Sequence, residues 1–136
     1  MSRNPGRPLS PHLTIWKWGP HMLVSILHRV TGSAMAIGAA SLLIGWLVAA
    51  ASGPAAYAVF LDVFTVESGR LNIIGGLIFV GFTWTFLQHL FTGLRHLVLD
   101  TGAGYELRAN RFWSIATLVG SLTLTALIWA PILARN

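Results

Sequence analysis

No cysteine occurs among the 136 residues, which excludes disulfides, iron–sulfur ligation and thiol chemistry within this chain. Charge is nearly as scarce. Charged residues make up 10% of the chain, where a soluble domain usually carries about a quarter. Acid is scarcest: four Asp and Glu stand against nine Lys and Arg, a formal net charge of +5. Such an excess of base can signal nucleic acid. Here it flanks apolar runs, where topology and anionic lipid headgroups account for it better. Membrane lipid is the expected partner and nucleic acid is not.

What is abundant is apolar character, with 54% hydrophobic residues and a mean hydropathy of +0.68. Three runs carry it, roughly Val30 to Ala51, Leu71 to Leu99 and Trp113 to Leu133. Each is long enough for a helix to cross the hydrocarbon layer, which takes ~20 residues. Their continuity, without period-two alternation, favours helices over a barrel. The expected fold is all-α, one integral membrane domain over 1–136. It comprises an extended N-terminal arm (1–21) and three transmembrane helices at about 22–51, 71–99 and 112–133. The first run lies too far in and is too long for a cleaved signal peptide, and no polar mature domain follows it.

The basic residues set an expected orientation. Arg3, Arg7, Lys17 and Arg29 precede the first span, and Arg95, Arg108 and Arg111 surround the second loop. The opposite side has Arg70, beside Asp62 and Glu67, and Arg135. The positive-inside rule then puts the N-terminus in the cytoplasm. No Arg- and Ser-rich presequence precedes the arm, which points to a bacterial inner membrane, with the mitochondrial inner membrane as the alternative.

Four of the six prolines fall in the first 21 residues, which argues for an extended or turning arm. Trp16 and Trp18 flank Lys17 there, a pattern suited to headgroups or to a soluble partner. The first loop is apolar from Tyr57 to Val66 and reads as a short helix on the outer surface. The second, "DTGAGYELRANR", reads as a polar turn. No internal repeat is evident. The third span has no ionisable residue from Phe112 to Ala134. It offers packing and lipid contact, and no polar pathway of the kind a transporter needs.

The second span ends "QHLFTGLRHLVLD", with His89, Gly93, His96 and Asp100 at helical steps of four, three and four. At 1.5 Å rise per residue, the two histidines stand about 10 Å apart along the axis. That is too far for one metal ion to be held by both. His89 lies deepest, and an intramembrane ionisable residue is a functional candidate by default. Two readings stand open: an axial haem ligand, or an interhelical hydrogen bond without a cofactor. Gly93 fits a passing porphyrin or close helix packing equally well.

In "SILHRVTG", Ser25, His28 and Arg29 share a helix face at i, i+3 and i+4. Because the second span runs back, this cluster and His89, Arg95 and His96 lie in the same half of the bilayer. Arg29, His28 and His96 suit the propionates of a haem. A serine hydroxyl and an arginine suit a quinone oxygen gaining negative charge. Arg29 alone also fits snorkelling to lipid phosphate. A dry haem site commonly uses two axial ligands, and only one histidine lies deep enough. Either the haem is five-coordinate or a partner supplies the other ligand.

The arm "RPLSPHLTIWKW", then "SILHRVTG" and "HLFTGLRHLVLD" in that order, resembles the cytochrome b membrane-anchor subunits of succinate dehydrogenase, respiratory complex II. Trp16 and Leu99 depart mildly from the family's pattern. The resemblance implies a complex with a flavoprotein subunit, an iron–sulfur subunit and a second small membrane anchor. It implies that His89 ligates haem b, with the second histidine from the other anchor. Ser25 and Arg29 would line a ubiquinone pocket, and His28, Arg29 and His96 would lie near the haem edge. The alternatives are a related quinol:fumarate reductase anchor and a haem-free structural anchor.

Overall fold

The computed structural model describes Gly6, Pro8 and residues 12–135. The expectation of an extended arm falls partly on 1–5, 7 and 9–11, which lie outside the described residues. From His12 the chain makes one turn, with the Ile15 and Trp16 N–H groups donating to the His12 carbonyl at 3.0 Å. It then runs irregularly and exposed to Trp18, with the Trp16 and Trp18 rings edge to face at 5.6 Å.

Helix α1 (Pro20–Ser33) begins on a proline, whose fixed φ and missing N–H suit a first helical position. It passes through a π-helical stretch, Ala34–Ala39, into α2 (Ala40–Ala51), giving one apolar span of 32 residues. Gly38 lies in the π stretch, where a Cβ would come 2.8 Å from Phe82 Cζ, so the missing side chain admits the Phe82 ring. The apolar segment before the second span is helical, α3 (Pro54–Phe64). Two long spans follow, α4 (Ile73–Asp100) and α5 (Leu107–Leu133).

Asn72 joins α3 to α4. Its side-chain oxygen accepts from the Gly75 N–H at 2.8 Å, and its amide donates to the Val63 carbonyl at 3.0 Å. The α4–α5 turn uses positive φ at Gly102 (86°) and Gly104 (80°), where a Cβ would be strained.

Helix α4 is the centre of the molecule. α1 and α5 both pack on it and on each other, making a three-helix bundle, and the π stretch still touches α4. Beyond it, α2 leaves the bundle and, among the other described helices, packs on α3, which wedges between α2 and α4.

The interior is small and polar. Thr31, Thr85, Gln88, Thr92, Ser114, Thr117, Ser121 and Thr125 are buried, with few large apolar side chains among them. Their hydroxyls largely return to carbonyls of their own helix, as Thr31 does to Leu27 and Thr125 to Ser121, both at 2.7 Å. Large apolar residues face outward instead, including Leu77 (71% exposed) and Leu127 (67%). Small residues between helices and bulky ones outside are the arrangement lipid favours. Among the described residues the fold is all-α, with three helices long and apolar enough to cross a membrane, as a multi-pass membrane protein requires.

Candidate functional site

Where α1 crosses α4, both helices carry the same pentapeptide pattern, His-x-x-Thr-Gly, at His28–Gly32 and at His89–Gly93. The two copies engage reciprocally. Thr92 donates its hydroxyl proton to the Gln88 carbonyl at 2.7 Å, leaving its oxygen to accept from His28 Nδ1 at 2.7 Å. Thr31 likewise donates to Leu27, and its oxygen lies 3.2 Å from His89 Nδ1. The same Nδ1 is 3.1 Å from the His28 carbonyl, which can only accept. His89 therefore carries a proton on Nδ1, and the neutral ring has its lone pair on Nε2.

The rings of His28 and His89 stack, with centroids 3.9 Å apart and planes 10° from parallel. The glycines complete the reciprocity. A Cβ on Gly32 would come 2.9 Å from His89 Cε1, and one on Gly93 would meet His28 Cε1 at 3.7 Å. Gly32 thus makes room for the imidazole of α4, while Gly93 would tolerate a Cβ in ordinary contact with that of α1. His96 joins from the next turns of α4, its centroid 5.1 Å from that of His28.

The structure brings His28, His89 and His96 together but not the whole of the other cluster. Ser25 is half-buried and Arg29 is exposed. Neither side chain has a polar partner among the described residues. At 100° per residue, Arg29 turns away from α4 when His28 turns toward it. Asp100 is also exposed, at the end of α4.

The sequence reading missed Thr31, Thr92, Gly32 and the repeat they form. The signal was present, since His-x-x-Thr-Gly occurs in both quoted motifs. Also missed were two contacts between α4 and α5. Ser121 donates to Gln88 Oε1 at 2.6 Å, and Arg95 donates through Nη2 to Asn110 Oδ1.

Chemically, the crossing presents imidazole nitrogens. The Nε2 atoms of His28 and His89 have no hydrogen-bond partner among the described residues. No group of three or more His, Asp or Glu converges on a metal position among those residues. A metal held at His89 Nε2 would draw its remaining ligands from elsewhere than such a group among the described residues.

Residues 3–128 match the family model described as the succinate dehydrogenase/fumarate reductase transmembrane subunit. The chain belongs to that family. It is 39% identical over 121 residues to the succinate dehydrogenase cytochrome b556 subunit of Paracoccus denitrificans, covering 89% of this chain and 88% of that one. The same-named subunit of Rickettsia typhi is 36% identical over 90% of each chain. The mitochondrial cytochrome b560 subunit of Sus scrofa is 33% identical over 89% of this chain and 71% of that one.

As a transmembrane subunit of this family, the chain works inside an enzyme complex and is not catalytic alone. Association with other subunits of the complex follows from the family. All five candidate residues, Ser25, His28, Arg29, His89 and His96, fall within the matched span.

Proposed function

We propose that the chain is the haem b- and ubiquinone-binding anchor of a succinate:quinone oxidoreductase. In this reading a second small anchor subunit supplies the other haem histidine. A flavoprotein subunit oxidises succinate and an iron–sulfur subunit delivers the electrons. The relatives' names, which speak of succinate dehydrogenase and of cytochromes b556 and b560, support it.

The observation that carries the haem assignment is the contact of His89 Nδ1 with a backbone carbonyl. Its Nδ1 faces the His28 carbonyl at 3.1 Å, so the lone pair sits on Nε2, which has no protein partner among the described residues. Donation of the second ring N–H to a carbonyl is the usual support of a metal-ligating histidine. The residues present therefore fit one axial ligand. His28, Arg29 and His96 would neutralise the propionate side. When bound, haem supplies a one-electron redox centre.

Reduction of ubiquinone places two electrons and two protons on its carbonyl oxygens. Ser25 would hold one such oxygen by its hydroxyl, and Arg29 would stabilise the negative charge developing there. Both lie on α1 without partners among the described residues, which leaves them available to a ligand. The proposed setting is a bacterial inner membrane, with the N-terminus and the α4–α5 loop on the cytoplasmic side. The clustering of basic residues at that end supports this orientation.

The test is a reduced-minus-oxidised visible spectrum of the purified complex, wild type beside His89→Ala. A low-spin b-type signal that is lost or altered in the variant is expected. An unchanged signal would overturn the ligand assignment.

A further inference from the structure

On the other side of α4 from the stacked histidines, a cavity of about 350 Å³ lies against α5. Its walls are mostly apolar, with Leu94, Val98, Leu99 and Trp113 among them, and Arg95, Asn110 and Thr117 are its polar residues. The volume is at the small end of ligand pockets, which run from ~300 Å³.

Arg95 is the anomaly. It stands five residues before the end of α4, within the apolar span. Its Nη2 reaches only the neutral Asn110 oxygen, and its Nε is buried without any partner. The nearest acids in sequence, Asp100 and Glu106, are exposed and make no ion pair with it. A partly buried guanidinium with no counter-charge and an orphaned donor calls for an anion. The apolar walls call for hydrocarbon beside that anion, at the depth where a headgroup meets its chains.

We infer that this cavity is a binding site for an anionic phospholipid, with the phosphate on Arg95 and one acyl chain along Leu94, Val98, Leu99 and Trp113. A quinone would fill the apolar part but leave the charge uncompensated. Free phosphate would satisfy Arg95 and leave the walls uncovered. The site does not depend on haem or quinone binding at the α1–α4 crossing.

The test uses the whole complex, purified in detergent and washed, then supplied with phosphatidylglycerol or phosphatidylcholine in mixed micelles. Retained lipid phosphorus and the thermal denaturation midpoint are read together. Phosphatidylglycerol should be retained and raise the midpoint, with phosphatidylcholine retained about tenfold less because its choline cation offsets the phosphate charge and repels Arg95. Arg95→Gln, which preserves hydrogen bonding without the charge, should remove that preference. Ala116→Phe fills the cavity while sparing Arg95, and should lower retention of both lipids. Three results would overturn the site: equal retention of the two lipids by wild type, a midpoint raised as much by inorganic phosphate alone, or a quinone instead of lipid displaced by Ala116→Phe. If Arg95→Gln does not assemble, Ala116→Phe and the wild-type lipid comparison still decide.

Discussion

At the scale of single residues, the two glycines of the repeat are unequal, and that inequality is testable. A Cβ at position 32 would press on His89 Cε1 at 2.9 Å, whereas one at position 93 would make ordinary contact with His28 at 3.7 Å. Overpacking of the first kind costs about 1–3 kcal/mol. Gly32→Ala should therefore displace the His89 ring and alter the haem absorption spectrum of the complex, while Gly93→Ala should leave it unchanged. Thr92→Val removes the acceptor 2.7 Å from His28 Nδ1 and keeps the side chain's shape. Interhelical hydrogen bonds in membranes are worth about 0.6 kcal/mol on average and up to ~2. A loss in that range is expected in a denaturation series of the detergent-solubilised complex. The histidines are legible in the sequence as polar residues out of place in lipid. Their mutual contact is not, because the two copies of the pattern lie 61 residues apart and only the antiparallel crossing aligns them. The shared face of Ser25, His28 and Arg29 is too coarse a description, since a helix face at i, i+3 and i+4 still spans enough arc to bury one residue and expose another.

At the scale of elements, apolar runs announce spans but not how they wind. Continuous hydropathy is enough to read three membrane helices, and the apolar loop at 57–66 is largely helical, as its composition suggests. Nothing in "AMAIGA" distinguishes a π stretch from an α-helix, and α2 diverges from the bundle directly after that stretch. The α3–α4 corner is tighter than any pattern indicates. A Cβ on Gly75 would overlap the Phe64 carbonyl oxygen, a backbone atom that cannot rotate aside, whereas Gly76 has open space around it. Gly75→Ala should open this corner and reduce the yield of assembled complex, at a cost of about 3 kcal/mol, the upper end for overpacking. Gly76→Ala should be neutral or stabilising by up to about 1 kcal/mol, since alanine is the better helix former. Equal behaviour of the two variants in thermal denaturation would show that the corner is not held as described.

At the scale of the whole molecule, the chain is built to be incomplete. Its interior is sealed by small hydroxyl-bearing residues, its outside is bulky and apolar, and the functional candidates are half-buried or, for Arg29, exposed. His89 offers one nitrogen, and Ser25 and Arg29 have no partners among the described residues. α2, leaning away from the bundle with only α3 against it, leaves further apolar surface for lipid or for a second anchor. In the proposed complex, electrons reach the flavoprotein and iron–sulfur subunits whether or not the anchor's quinone site is intact. Damage to that site should therefore separate two activities that an unassembled complex would lose together. Ser25→Ala removes one hydroxyl and Arg29→Ala one exposed charge, and neither change disturbs a side-chain hydrogen bond among the described residues, so folding should survive both. Loss of a donor to developing negative charge lowers rates by roughly 10²–10³-fold in the strongest cases, and a fall of about tenfold or more in ubiquinone reduction is expected here. Succinate oxidation by an artificial soluble acceptor should remain at the wild-type rate in the same membranes. If ubiquinone reduction persists unchanged in both variants, the pocket does not lie on this face of α1, and Arg29 is left to the lipid headgroups.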